Sequence, residues 1–310
     1  MTTKTQNLLG RRLALGLLQP FSGMNSAVRF GELAQTGLSR WPIKPLRGKA
    51  TAGFCYLTIG GKTHWLMLRE GLFSLYHAWE ALPEITVVSD GSWTVEEFQP
   101  VFGWWPGTIK VVSREQICAQ ARVANEADLA QYAENSPYGL KLAAIILLAR
   151  RQPLLFVDAD ILWFRDPVHL IGLASSWGKP KGIRESNCYQ RRDMALRYCP
   201  QVMEPPFVNG GILAVHGEFL PPDMLHGMVR EALADPGDGT FEQTIIATGV
   251  KLGGGFLDEK LCLVEFDDVK KFRHRNMLKE GFYARHYVNW MRHLLYLDAF
   301  VLRLRKGLRD

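Results

Sequence analysis

Near the midpoint of the chain two carboxylates, Asp158 and Asp160, follow the apolar run Leu154-Leu155-Phe156-Val157. Two hard oxygen ligands at this spacing suit a divalent cation of the magnesium or manganese type, which such sites usually share with phosphate oxygens. The run before them shows no polar alternation, the habit of a strand buried on both faces in a parallel sheet. Open α/β sheets bind ligands in the crevice outside the carboxyl ends of their strands, so this strand delivers both carboxylates to the expected site. If the backbone stays extended, period 2 puts them on one side. The plain alternative is an acidic pair that caps the following turn.

The elements around this strand have a regular rhythm. Gly53 to Ile59 reads as a strand ending at Gly60-Gly61, and His64 to Ala81 carries apolar residues at helical spacing. Ile85 to Ser89 is a second strand, ending in Asp90-Gly91-Ser92. Thr94 reads as the N-cap of a short helix with Glu96 and Glu97 in its first turn. Thr108 to Val112 is a third strand, Arg114 to Tyr132 a helical region, and Ser136-Pro137 opens a helix to Arg151. This β-α-β-α-β-α-β succession marks a doubly wound α/β layer.

Beyond Asp166-Pro167 the rhythm weakens, and residues 176–206 read as a long excursion able to serve as a lid. Phe207 to Val215 returns to a strand with Gly210-Gly211 near its start. Pro221–Leu233 and Thr240–Thr248 read as helices, Leu261–Phe266 and Phe282–Val288 as strands, and Met291–Leu308 as a closing apolar helix with basic residues.

The formal charge of +6 is unevenly spread: residues 1–50 hold eight basic residues against Glu32 alone, a formal +7, which leaves −1 for residues 51–310. A basic arm, 1–50, followed by a nearly neutral body, 51–310, argues against a nucleic-acid-binding body. The arm reads as a helix or two and an irregular linker packing on the body, at a sheet edge, or on a partner. Five cysteines without a Cys-x-x-Cys pair indicate neither a disulfide framework nor a structural zinc site, and a reducing, cytoplasmic setting is expected. No run of 18 apolar residues exists to span a membrane.

With Phe156-Val157-Asp158-Ala159-Asp160-Ile161-Leu162-Trp163-Phe164-Arg165-Asp166-Pro167 in view, the chain resembles the GT-A-fold glycosyltransferases. It is most similar to the retaining group that includes glycogenin-like, bacterial lipopolysaccharide galactosyltransferase-like and plant cell-wall enzymes, over roughly residues 51–290. The resemblance implies a mixed, mostly parallel sheet with helices on both faces. It also implies that Asp158 and Asp160 hold Mn2+ or Mg2+ against the diphosphate of a sugar nucleotide, with Ala159 between them at the donor. Asn209-Gly210-Gly211 is similar to the segment these families place beside the donor sugar, where glycines allow close backbone approach and an amide can both donate and accept; a tight turn is the alternative. Asp90 stands where related enzymes recognise the nucleoside, against the reading of an Asp-Gly turn, and Lys141 where many carry a donor contact, against a solvated helix lysine.

His286 resembles the late histidine that completes the metal site, although the family's Gly and Lys-Pro-Trp continuation is absent. The chain reads Val288-Asn289-Trp290-Met291-Arg292-His293 there, with His293 as the substitute ligand. Glu242-Gln243 resembles an acidic-Gln pair near the acceptor, where Glu242 can orient the acceptor or stabilise an oxocarbenium-like centre; the alternative is an ordinary first-turn glutamate. Trp290 and Trp104-Trp105 can stack on sugars or fill core and rim.

The expected activity is metal-dependent transfer from a nucleotide-diphosphate sugar, UDP by default, to a hydroxyl acceptor on a glycan or lipid-linked glycoconjugate, with retention. The catalytic residues are then Asp158, Asp160 and Glu242. The basic ends add the expectation of peripheral contact with an anionic membrane. Two readings stand beside this one: a non-catalytic nucleotide-sugar-binding or membrane-docking subunit, and a haloacid-dehalogenase-like phosphatase. The second is disfavoured by Leu162 where that site wants Thr or Val.

Overall fold

The computed structural model describes residues 24–172, 174–264 and 280–307. A seven-stranded sheet has the order β3-β2-β1-β4-β7-β6-β8, formed by β1 (Ala50–Gly60), β2 (Ala81–Ser89), β3 (Ile109–Val112), β4 (Leu154–Val157), β6 (Lys181–Glu185), β7 (Phe207–Val215) and β8 (Gly255–Phe256). The first four strands pair in parallel, β7 runs antiparallel to both β4 and β6, and β8 pairs in parallel with β6. A three-stranded sheet is built from β5 (Ile161–Trp163), β10 (Ala284–His286) and β9 (Cys262–Val264), with β10 central.

The period-2 rule explains the layering. On one face Cys55 and Leu57 of β1 join Leu154 and Phe156 of β4. They meet apolar residues of α3 (Arg114–Val123), α4 (Ala127–Asn135), α5 (Pro137–Ala149), α7 (Pro222–Ala232) and α8 (Gly239–Lys251). On the other face Phe54, Tyr56, Leu155 and Val157 meet α2 (Trp65–Ala78), the small sheet, and Trp104 and Trp105, which are core residues. Helix starts follow local chemistry. Thr94 and Glu97, and Ser113 and Gln116, form reciprocal capping boxes, and the Ser136 hydroxyl accepts from the Tyr138 N–H with Pro137 in the first turn of α5.

The strand read at Leu154–Val157 forms as β4, but the backbone does not stay extended through Asp158-Ala159-Asp160, and Ile161–Trp163 becomes β5 in the other sheet. Three expectations are corrected. Residues 114–132 form two helices, because Asn125 takes a positive φ of 61° between them. The excursion at 176–206 is not a lid, since it supplies β6 to the main sheet and α6 (Arg192–Tyr198), whose Met194 and Ala195 are fully buried. Finally, the described part of the basic arm contains α1 (Met24–Arg40), which packs not on a sheet edge but on the C-terminal helix α9 (Arg292–Gly307). A Cβ at Gly31 would lie 2.7 Å from that of His293, so glycine is what lets the two helices touch.

A buried charge cluster ties α1, α2 and α9 together. Glu70 accepts from Arg303 through Oε2 (2.8 Å) and Oε1 (3.0 Å) and from Arg69 Nη2 (2.7 Å), while Arg69 Nη2 also donates to the Leu38 carbonyl (2.5 Å). The residues expected as a strand at Leu261–Phe266 are described as far as Val264; residues 265 and 266, like 1–23, lie outside the described residues.

Candidate active site

A cleft opens at the carboxyl ends of β1, β2 and β4, where the strand order departs in both directions from β1. Its walls include Gly60, His64 and Asp90 at one end, Tyr138, Lys141, Glu242 and Gln243 at the other, and Asp158, Ala159, Asp160 and Arg292 between.

The two central carboxylates converge because the chain turns between the two sheets. The Asp158 N–H donates to the Gly211 carbonyl on β7 (2.8 Å), and the Asp160 carbonyl accepts from the Tyr287 N–H just past β10 (2.9 Å). Antiparallel register then places His286 opposite Ile161, the residue after Asp160. His286 Nε2 lies 3.1 Å from Asp160 Oδ1 and 3.6 Å from Asp158 Oδ2. Among the described residues Asp158, Asp160 and His286 can each present one ligand atom, all within 4.8 Å of one another. Two carboxylate oxygens and one imidazole nitrogen fit a divalent cation, the nitrogen favouring Mn2+ over Mg2+. His293, the substitute ligand, is not part of this cluster; its Cβ and backbone pack against Gly31 of α1.

Arg292 reaches Asp160 Oδ2 through Nε (3.1 Å) and Nη2 (3.0 Å). Burial opposes charge on Asp160, but His286 and Arg292 outweigh it and hold its pKa at about 2. Burial likewise opposes the His286 imidazolium, and Asp160 with Asp158 outweighs it, raising its pKa above the ordinary histidine value.

Lys141, projecting from α5, is 3.2 Å from Asp158 Oδ1 and 3.2 Å from Glu242 Oε1. Burial works against its ammonium, yet the two carboxylates raise its pKa above the usual lysine value. Burial raises the Glu242 carboxyl, with Lys141 pulling it back. Gln243 donates to Glu242 Oε2 (2.9 Å) and accepts from the Gly210 N–H (3.3 Å), which joins the start of α8 to β7. Asp90 Oδ1 accepts from the Ser92 N–H (2.9 Å) and hydroxyl (2.6 Å), leaving Oδ2 facing His64 Nδ1 at 3.9 Å. Burial, reinforced by Arg292, lowers the His64 pKa.

The sequence-derived residues therefore divide. Asp90, Lys141, Asp158, Ala159, Asp160, Glu242 and Gln243 line the cleft. Asn209 does not: it is buried behind the carboxylates, donating to Glu185 Oε2 (3.0 Å) and facing His286 Nδ1 at 3.1 Å. Gly211 leaves room for that imidazole, since a Cβ there would sit 2.5 Å from His286 Cε1. The side chain of Trp290 lies outside the described residues. Sequence reasoning missed His64, Tyr138 and Arg292. His64 and Tyr138 sit at helix starts, the feature that could have flagged them, whereas Arg292 had been grouped with the basic residues of the terminal helix.

By sequence, no family model and no curated protein matches this chain. By structure it is similar to a galactosyltransferase, LgtC, solved in complex with donor and acceptor sugar analogues. That match has 13% identity and a TM-score of 0.53, and covers 76% of this chain and 87% of that one. It is also similar to mouse xyloside xylosyltransferase 1 in its apo form, with 12% identity and a TM-score of 0.50 over 75% and 97% of the respective chains. What these likenesses share with the chain is a fold.

Proposed function

We propose that this chain, whose fold is that of the GT-A glycosyltransferases, transfers a sugar from a nucleotide-diphosphate sugar to a hydroxyl acceptor. The observation that carries the reading is the convergence of Asp158, Asp160 and His286 at the carboxyl edge of the sheet. A divalent cation held by these three would act as a Lewis acid on the leaving diphosphate.

The remaining roles belong to residues of the cleft. Arg292, whose Nε and Nη2 are engaged by Asp160, brings a positive charge to the cleft wall that suits the donor phosphates. Asp90 Oδ2, at the far end of the cleft, is available to accept from a ribose hydroxyl or a base imide. Gln243 and Glu242 sit at the opposite end, where the transferred sugar and its acceptor would meet. Glu242 is committed to Lys141 and Gln243 and so is not a free base at that end. This supports retention by same-face attack: the bond from the anomeric carbon to phosphate oxygen breaks, the bond to the acceptor oxygen forms, and the leaving phosphate takes the acceptor's proton. UDP is the expected nucleotide.

The test is calorimetric titration of UDP and GDP, with and without Mn2+, into the wild type and Asp160→Ala, followed by hydrolysis assays with UDP-sugars. Mn2+-dependent binding lost in the variant, with slow donor hydrolysis by the wild type, is expected. Binding without any turnover would leave a nucleotide-sugar-binding subunit, and no binding of a nucleoside diphosphate by the folded chain would remove the reading.

A further inference from the structure

Of the large apolar side chains that stand exposed among the described residues, one alone lines the cleft: Tyr138, 39% exposed. It is the second residue of α5, directly after Pro137, whose ring fixes the backbone at the helix start. The orientation of the tyrosine ring is set from α8. A Cβ added to Gly239, the first residue of that helix, would lie 2.7 Å from both Cε1 and Cζ of Tyr138 and 3.2 Å from Cδ1. Three consecutive ring carbons can be that near only to an atom above the ring plane, so the Gly239 backbone backs one face of the ring, and a side chain there would displace it. With one face covered and the residue still exposed, the other face is left to the cleft.

Lys141, three residues on and therefore on the same side of α5, is the residue that meets Asp158 and Glu242. Lys141 is buried and Tyr138 is not, so the ring stands one helical turn outward from the carboxylates, toward the open rim. Gln243, one turn after Gly239 on α8, lines the same cleft with capacity to spare. Its amide has two N–H groups and two acceptor positions, and Glu242 Oε2 and the Gly210 N–H use one of each.

An oriented aromatic face with a partly uncommitted amide beyond it matches the two sides of a sugar ring. The C–H groups of a pyranose are attracted by the negative face of an aromatic ring, while its rim of hydroxyls needs partners that donate and accept. A lone lipid or peptide hydroxyl offers no such flat face. We propose that Tyr138 is the platform for the acceptor and that the acceptor is therefore a carbohydrate, its ring laid on Tyr138 and a hydroxyl directed by Gln243. The assignment rests on the donor-site reading above, in which the sugar nucleotide fills the deeper part of the cleft.

The experiment is saturation-transfer difference NMR on the full chain with UDP and Mn2+. The probes are the α- and β-methyl glycosides of glucose, galactose, mannose, xylose and N-acetylglucosamine, and the affinities of UDP, UDP-glucose and UDP-galactose are measured by calorimetry in parallel. At least one glycoside should bind, with saturation strongest on the C–H protons of one ring face. Tyr138→Ala should weaken that glycoside about tenfold or more, while Tyr138→Phe, which keeps the aromatic face, should stay within about threefold of the wild type. Tyr138→Leu, which keeps apolar bulk over Gly239 without the aromatic face, carries the same expectation as the alanine variant should that one not fold. No binding by any glycoside in a chain that binds UDP, or equal binding by the wild type and the leucine variant, would overturn the proposal. Weakening confined to UDP-glucose and UDP-galactose relative to UDP, with glycoside binding intact, would put the donor sugar on the ring and overturn it as well. A folded chain that binds no UDP would remove the donor-site reading instead, and the glycoside comparison, repeated without UDP, would still decide for or against the platform.

Discussion

Lys141 and Glu242 form a buried ion pair at 3.2 Å, and the same ammonium stands 3.2 Å from Asp158. One cation thus serves two carboxylates that both line the cleft, Asp158 and the almost fully buried Glu242, only 1% exposed. Lys141→Met should leave Glu242 and Asp158 uncompensated and cost about 3 kcal/mol. Glu242→Gln, which keeps an oxygen near the lysine, should cost less. Urea denaturation of the metal-free proteins checks both, and equal stability of wild type and Lys141→Met would contradict the shared-cation picture.

The raised His286 pKa sets a direction for pH. In the metal-free protein its pairing with Asp160 contributes stability that is complete below the ordinary histidine value of about 6.5 and is lost as pH rises through the raised folded value. A cation at Nε2 displaces that proton. Mn2+ affinity should therefore increase with pH across this window, with proton release on binding. Titration in two buffers of different ionisation enthalpy reads the release directly, and identical heats in both would argue that His286 is not a ligand.

Gly211 is a test of geometry without charge. In Gly211→Ala the new methyl would lie 2.5 Å from His286 Cε1 and 2.8 Å from Asn209 Oδ1. Relieving that overlap should cost about 1–3 kcal/mol and displace the imidazole. The expected outcome is a folded protein, by circular dichroism, whose Mn2+ affinity falls more than its stability alone explains.

Glu70 lies far from this chemistry yet joins three helices through Arg303 and Arg69. Glu70→Ala should leave two arginines buried without their carboxylate and destabilise by about 3–5 kcal/mol. A midpoint of denaturation close to that of the wild type would show the cluster to be dispensable.

Much of the main sheet was legible because its strands are continuous apolar runs bounded by turn residues and its helices begin with recognisable caps, as at Thr94 and Ser136. Asp158 and Asp160 stood out because carboxylates rarely end a buried strand. What escaped was set by pairing between distant segments. Nothing in Ile161-Leu162-Trp163 alone marks a second sheet, and it is the partner β10 that draws it into one. Lys181–Glu185 is hidden in a polar stretch, since its place depends on β7. Asn209 matched a donor-site motif, but the register of β7 turns its amide toward His286. Asn289, just after β10, takes the left-handed region at φ 51°, a conformation asparagine tolerates.

The contact between α1 and α9 has a consequence for how the molecule is made. A ribosome completes Met24–Arg40 long before Arg292–Gly307, so the first helix spends most of synthesis without the partner that covers Leu38. The same delay applies to the cleft, because Asp158 and Asp160 are synthesised more than a hundred residues before His286 and Arg292. A nascent chain that stops before β10 can lay down much of the parallel sheet but can close neither the helix pair nor the Asp158-Asp160-His286 cluster, so both await the segment from Ala284 to Gly307.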